Sequence, residues 1–311
     1  MGFNRHTAND FRKFNSERRQ LNLPKNIKLA LHAGFCYGVK RAVETAKKLK
    51  TENPDKSVCV LGELIHNTDV INELEAMGIK TIDKIPEKGD GICIVRSHGE
   101  APEIIEKIKN AGYELVDLTC PDVKKVQQKA VELAREDYFL VIVGKSEHPE
   151  VIAIKANAEM WSNNVLVATS IEQLKPFEDK IKSHKKTGVV VQTTQRFETL
   201  SPIVQYLTSI SKELHIANTI CASTAKRQSE AKELAKNSDL VIVVGSKKSA
   251  NTTHLAEILR NITKTIHLEN ADELENYEDL IKVSSNISIT AGASTPQSVI
   301  EEVMKKLNKN S

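Results

Sequence analysis

Cysteine is the residue type with most chemistry to offer in this chain, and there are five: Cys36, Cys59, Cys93, Cys120 and Cys221. Three share one setting. Cys36 follows the apolar run 27–35, Cys120 follows 114–118, and Cys221 follows 214–220. Each then opens a helical pattern: Val39, Val43, Ala46 and Leu49; Val123, Val126, Ala130 and Leu133; Ala225, Ala231 and Leu234. Recurrences at helical spacing, mostly three, four and seven, are read as putting each set on one helix face. Three thiolates at equivalent positions suit an iron–sulfur cluster with one iron left without a protein ligand. They equally suit zinc completed by a water or a histidine. Cys59 and Cys93 lie mid-strand among apolar neighbours and read as core residues. No Cys-x-x-Cys pair exists, and a sparse odd set without a secretory signal is not a disulfide framework.

Polar residues recur with the same rhythm. The gaps from Cys36 to Gly62, Cys120 to Gly144 and Cys221 to Gly245 are 26, 24 and 24 residues. Each glycine ends a strand-like run, and four residues on stand His66, His148 and Ser249. A further strand leads to His98 in the first unit, to Gln192 and Thr193 in the second, and to Ser294 in the third. Each is followed by a helix with a proline expected near its start, Pro102, Pro202 and Pro296. Imidazole, hydroxyl and amide donors, Asn251 among them, suit phosphate oxygens. Glu150, two residues past His148, is placed to carry a proton if water is kept out. His6, His32, His184, His215, His254 and His267 fall off the repeat and receive no role. The basic pairs Lys40-Arg41, Lys124-Lys125 and Lys226-Arg227 read as solvated helix faces.

The elements that must position these groups alternate strand and helix, the mark of an α/β fold. We expect a basic, flexible extension over 1–26 and α/β units over 37–116, 117–217 and 218–311. The third unit lacks a closing strand, which 27–36 would supply. That closes three pseudo-equivalent units into a cyclic trefoil. Ligands of open α/β sheets lie at strand C-termini, where helix N-termini also favour anions.

Bulk composition excludes several classes. The 311 residues carry 44 Lys and Arg against 41 Asp and Glu, a net charge of +3, with 4% aromatics. Neither a nucleic-acid binder nor a membrane-surface protein is indicated, and apolar runs are strand-sized. There is no Gly-x-Gly-x-x-Gly loop and no Walker lysine loop, so a redox enzyme built this way needs a separate electron-donor protein. Without a signal peptide the expected location is cytoplasmic, the basic tail leaving organellar targeting open.

The motifs Gly34-Phe35-Cys36-Tyr37-Gly38-Val39, Ile65-His66-Asn67, Ser97-His98-Gly99, Thr119-Cys120-Pro121, His148-Pro149-Glu150-Val151, Gln192-Thr193-Thr194 and Thr290-Ala291-Gly292-Ala293-Ser294 follow one another along the chain. In type and order they resemble the 4-hydroxy-3-methylbut-2-enyl diphosphate reductase (IspH or LytB) family, over residues 27–307. The resemblance implies a trefoil around one 4Fe–4S cluster held by Cys36, Cys120 and Cys221. It implies reductive removal of an allylic hydroxyl, giving isopentenyl and dimethylallyl diphosphates at the end of the methylerythritol phosphate route. Its diphosphate contacts fall on His66, His98, His148, Ser249, Asn251 and Ser294. Its hydroxyl contact falls on Thr193 and its proton source on Glu150. The implied partners are this small allylic diphosphate and an external ferredoxin- or flavodoxin-type donor, with no nucleic acid and no membrane. One departure is Ala250, where the family has Ser; a lost hydroxyl contact is expected to cost about 1 kcal/mol of affinity, with Lys248 compensating. A zinc hydrolase using the same cysteines, or a cluster-based sensor without turnover, remains open from the residues alone.

Overall fold

The computed structural model describes residues 26–309. The tail expected over 1–26 lies outside the described residues except for Asn26, which begins the first strand. Twelve strands form three four-stranded, all-parallel sheets among the described residues. The first sheet holds β2 (Val58–Leu61), β3 (Ile79–Ile82), β4 (Ile92–Val95) and β5 (Glu114–Asp117). The second holds β6 (Phe139–Val143), β7 (Val165–Ala168), β8 (Thr187–Val191) and β9 (Leu214–Ile216). The third holds β10 (Leu240–Val244), β11 (Thr265–Leu268), β12 (Asn286–Ala291) and β1 (Asn26–Leu29).

Strand order repeats too: β3-β2-β4-β5, β7-β6-β8-β9 and β11-β10-β12-β1. Counted within each sheet this is 2-1-3-4, with β1 as the missing fourth strand. Its register runs from Asn26 beside Asn286 to Leu29 beside Ile289. The apolar run 27–35 is strand only as far as Leu29. Gly34 has φ +87°, a left-handed conformation that ends any extended run.

The central strands are buried on both faces, as parallel sheets require: every residue of β2, β4, β6, β8 and β10 is buried. Strand periodicity therefore vanishes into continuous Val, Leu and Ile. Cys59 and Cys93, side by side in register, belong to that core. Packing divides the chain into two compact units, Cys36–Ala225 with the first two sheets, and 26–35 joined to 226–309 with the third.

The strand order reverses between β2 and β4, between β6 and β8, and between β10 and β12. Strand C-termini splay apart at such switch points and leave a crevice. The fourth strands, β5, β9 and β1, each lead instead into a cysteine.

Candidate functional site

In the unit Cys36–Ala225, each cysteine stands at a helix start. Cys36 is the N-cap of α1 (Tyr37–Glu52), Cys120 is the N-cap of α4 (Pro121–Arg135), and Cys221 directly precedes α7 (Ala222–Lys236). All three are free and half-buried. The helix-start N–H groups of Asp122 and Val123 act to lower the Cys120 thiol pKa, and those of Ser223 and Thr224 to lower that of Cys221. Unsatisfied N–H groups at a helix start favour a thiolate. Without a partner cation burial outweighs them: it raises the Cys120 thiol and, helped by Asp122, pushes Cys221 up to about 11. The Cys221 thiol donates to Asp122 Oδ2 at 3.0 Å.

Gly38 shows that room is kept between the sulfurs of Cys36 and Cys120. A Cβ there would lie 2.6 Å from Cys120 Sγ and 4.0 Å from Cys36 Sγ. Two thiols beside a position without a side chain, with a third cysteine at a helix start of the same unit, fit a bulky anionic inorganic group. A single zinc ion, with bonds of about 2.3 Å, would need its sulfurs within about 4 Å of one another. Among the described residues, the side chains whose ligand atoms all gather within 4.8 Å are His66, His98 and His148, not the cysteines.

Those three histidines meet at the switch points of the first two sheets. His66 and His98 stack with ring centroids 4.7 Å apart, and His148 sets its edge against them at 6.0 and 5.4 Å. His66 Nδ1 lies 2.9 Å from the Glu63 carboxylate. Burial, and then electrostatic interaction with His66, His148 and Arg96, holds His98 well below the ordinary imidazole range. His98 is therefore neutral, and its buried Nδ1 has no partner among the described residues. His148 caps α5 (Pro149–Glu159), its Nδ1 accepting the Glu150 N–H at 3.2 Å, which leaves the hydrogen of a neutral ring on Nε2.

Glu150 is 1% exposed at the second position of α5. Its Oε1 accepts the Thr193 N–H at 2.6 Å, and its Oε2 is 2.7 Å from Thr193 Oγ1. Burial pushes its pKa up to about 7 against the downward pull of those two hydrogen bonds. The carboxyl thus holds a proton near neutrality with a hydroxyl in hydrogen-bond reach, an arrangement suited to proton delivery.

In the other unit, Ser249 caps α8 (Ala250–Arg260), its hydroxyl accepting from Thr252 N at 3.5 Å. Asn251 is 6% exposed, and its Nδ2 has no partner among the described residues. Ser294 is buried three residues past β12. These positions are equivalents of the histidine and Glu150–Thr193 positions in the other two sheets.

Some features were not legible. Tyr37 is half exposed, yet its hydroxyl pKa is raised, by desolvation first and then by its neighbours Asp122 and Cys120. Asp122 carried no signal beyond its place in a first helical turn, nor did Glu63. Arg227 is 3% exposed rather than solvated, while Ala225, expected on the apolar stripe, is exposed. The buried stripe of α7 is rotated toward Thr224, Arg227, Gln228 and Ala231. Pro202 lies inside α6 (Phe197–Ile210) rather than at its start.

The family model described as LytB protein matches residues 27–308. The chain belongs to the LytB protein family. LytB-family proteins are iron–sulfur enzymes. A relative in Clostridium tetani, named 4-hydroxy-3-methylbut-2-enyl diphosphate reductase, is 42% identical over 293 residues. The match covers 92% of this chain and 44% of that protein, so the chain spans less than half its length. The protein of the same name in Geobacter sulfurreducens is 39% identical over 91% of this chain and 97% of its own. A solved structure of (E)-4-hydroxy-3-methyl-but-2-enyl diphosphate reductase, described as the terminal enzyme of the non-mevalonate pathway, is 36% identical with a TM-score of 0.69, covering 92% of this chain and 99% of that one. The E-1-hydroxy-2-methyl-but-2-enyl-4-diphosphate reductase from Plasmodium falciparum is 27% identical with a TM-score of 0.82, covering 91% and 88%.

Proposed function

We propose that this LytB-family chain reduces 4-hydroxy-3-methylbut-2-enyl diphosphate to isopentenyl and dimethylallyl diphosphates. The allylic C–O bond breaks, two electrons and two protons enter, and the hydroxyl leaves as water. The observation that carries this reading is the trio of helix-start cysteines with the gap at Gly38. Cys36, Cys120 and Cys221 would hold a 4Fe–4S cluster. When bound, that group supplies the electrons and a Lewis-acidic iron free of protein ligand.

The side chains do the rest. His66, His98 and His148 offer ring N–H groups to the diphosphate. Ser249, Asn251 and Ser294 add hydroxyl and amide donors. The Asn251 amide supports this role because an unpaired buried donor is costly until a ligand accepts from it. Thr193 orients the substrate hydroxyl, and Glu150, protonated near neutrality, passes a proton through it. Electrons come from an external carrier of ferredoxin or flavodoxin type, and we place the reaction in the cytoplasm. Among the described residues no helix is long and apolar enough to cross a membrane.

Anaerobic purification followed by iron, sulfide and zinc analysis tests the reading. Iron and acid-labile sulfide in equal amounts, with turnover of the allylic diphosphate under a chemical reductant, are expected. A colourless zinc protein without sulfide would overturn it in favour of a hydrolase.

A further inference from the structure

Arg227 sits one and a half turns into α7 and is almost wholly buried. Its Nε donates to the carbonyl of His32 at 2.9 Å and its Nη2 to that of Gly34 at 2.7 Å. Three residues further along the same helix face, Glu230 accepts the N–H groups of Leu31 at 2.6 Å and His32 at 2.9 Å, with His32 Nδ1 at 2.7 Å. Burial works to raise the Glu230 carboxyl, but these N–H groups outweigh it and hold the pKa low. One helix thus grips both the donors and the acceptors of segment 31–34. Gly34 leaves that grip in a tight place, since a Cβ on it would lie 3.0 Å from Ile300 Cδ1. Two residues later the chain reaches Cys36.

The same device recurs in the other unit. Arg41, on the helix headed by Cys36, donates through Nη2 to the carbonyls of Leu118 at 3.1 Å and Thr119 at 2.7 Å. Those are the two residues before Cys120. Arg41 stands five residues past its cysteine and Arg227 six past Cys221. At the remaining junction the corresponding lysines pair with acids of their own unit, Lys124 with Asp117 at 2.6 Å and Lys125 with Asp122 at 3.2 Å. There the loop before Cys221 is closed instead by Thr219, whose hydroxyl bridges the N–H and carbonyl of Val191.

Loop carbonyls at a surface can be hydrated without loss. Tying them to a planar guanidinium gains fixed geometry, because its N–H groups are pre-oriented whereas a lysine ammonium turns freely on a flexible stem. Groups behind a metal ligand typically govern how well the metal is held. We propose that Arg41, and Arg227 with Glu230, are positioning residues for the cluster-ligating cysteines: the helices headed by Cys36 and by Cys221 each hold the loop that delivers another cysteine, and so set how tightly the cluster is retained. This rests on the cluster reading above.

The test compares anaerobically purified wild type with Arg41→Gln, Arg41→Lys, Arg227→Gln and Glu230→Gln. Three readouts are needed: the rate of iron loss to an excess of chelator, the EPR spectrum of the reduced cluster, and the melting midpoint of iron-free protein. Arg41 is exposed, so its replacement leaves the core intact. Arg41→Gln should release iron about tenfold faster with an altered EPR line shape, while the iron-free midpoint moves by no more than ~2 °C. Arg41→Lys should not restore retention. If Arg227→Gln fails to fold, Arg41→Gln and Glu230→Gln still decide. Release rates equal to wild type, or faster release matched by an equally lowered iron-free midpoint, would overturn the inference alone. Wild type lacking iron and sulfide would overturn the cluster reading itself.

Discussion

The switch points β6/β8 and β10/β12 occupy the same place in two sheets of identical strand order, yet they are chemically unlike. In the first, His148 caps the helix, Pro149 is its first residue and Glu150 its second; in the second these are Ser249, Ala250 and Asn251. Glu150 is satisfied within the chain by Thr193, and burial keeps it protonated near neutrality. Asn251, also buried, has an amide nitrogen with nothing to donate to among the described residues. One position carries a carboxyl whose pKa lies near 7; the other carries an unpaired amide. The fold buries both residues at the second position of a helix after a strand end, and the side chain alone decides which hydrogen bonds each makes.

The largest effect is expected at Glu150. Glu150→Gln keeps shape and hydrogen-bond capacity but loses the transferable proton, so turnover should fall by about 10²–10⁴-fold with KM little changed. Steady-state kinetics with iron content measured on the same sample checks this. Full activity would remove Glu150 from the proton path.

The pH dependence follows from the same residue. Its raised pKa means activity that needs the protonated acid declines as pH rises through about 7. For stability, a carboxyl whose folded pKa is raised binds its proton more tightly when folded. Its contribution is fullest below the ordinary carboxylate value and is lost as pH climbs to about 7. Glu150→Gln escapes that loss and should be the more stable protein above pH 7, by on the order of 3 kcal/mol. Denaturation series at two pH values measure the difference.

Asn251→Ala tests the other half. It should leave kcat nearly intact and raise KM roughly tenfold, because one buried donor to the substrate is lost. A change confined to kcat would assign Asn251 to the chemistry instead. The smallest effect is expected at Ala250. Ala250→Ser adds a hydroxyl at the first position of α8 and should lower KM by about fivefold or less. An unchanged KM would mean that the backbone N–H already serves there.

Much of this was legible because the chain repeats. The interval from cysteine to strand-end glycine, three times over, located the sheets, their C-terminal edges and the fourth strand missing from the last. What stayed hidden were contacts between residues far apart in sequence. Glu63 beside His66 looks like any surface acid. Arg227 beside Lys226 looks like half of a solvated pair, and only packing against segment 31–34 shows otherwise. The stripe of α7 was misread because a buried arginine with backbone partners counts as polar in any periodicity.

The sequence by itself determined which residue types stand at strand ends and helix starts, since hydrophobic runs and glycines set where each element stops. It therefore determined the α/β class and the candidate cysteines, histidines and Glu150. Only the tertiary structure decided their ionisation and their company. Burial makes Glu150 an acid that keeps its proton and His98 a neutral ring, and no reading of neighbours along the chain contains that information. The gap at Gly38, the Asp122 contact to Cys221 and the arginine grips likewise exist only once distant segments meet.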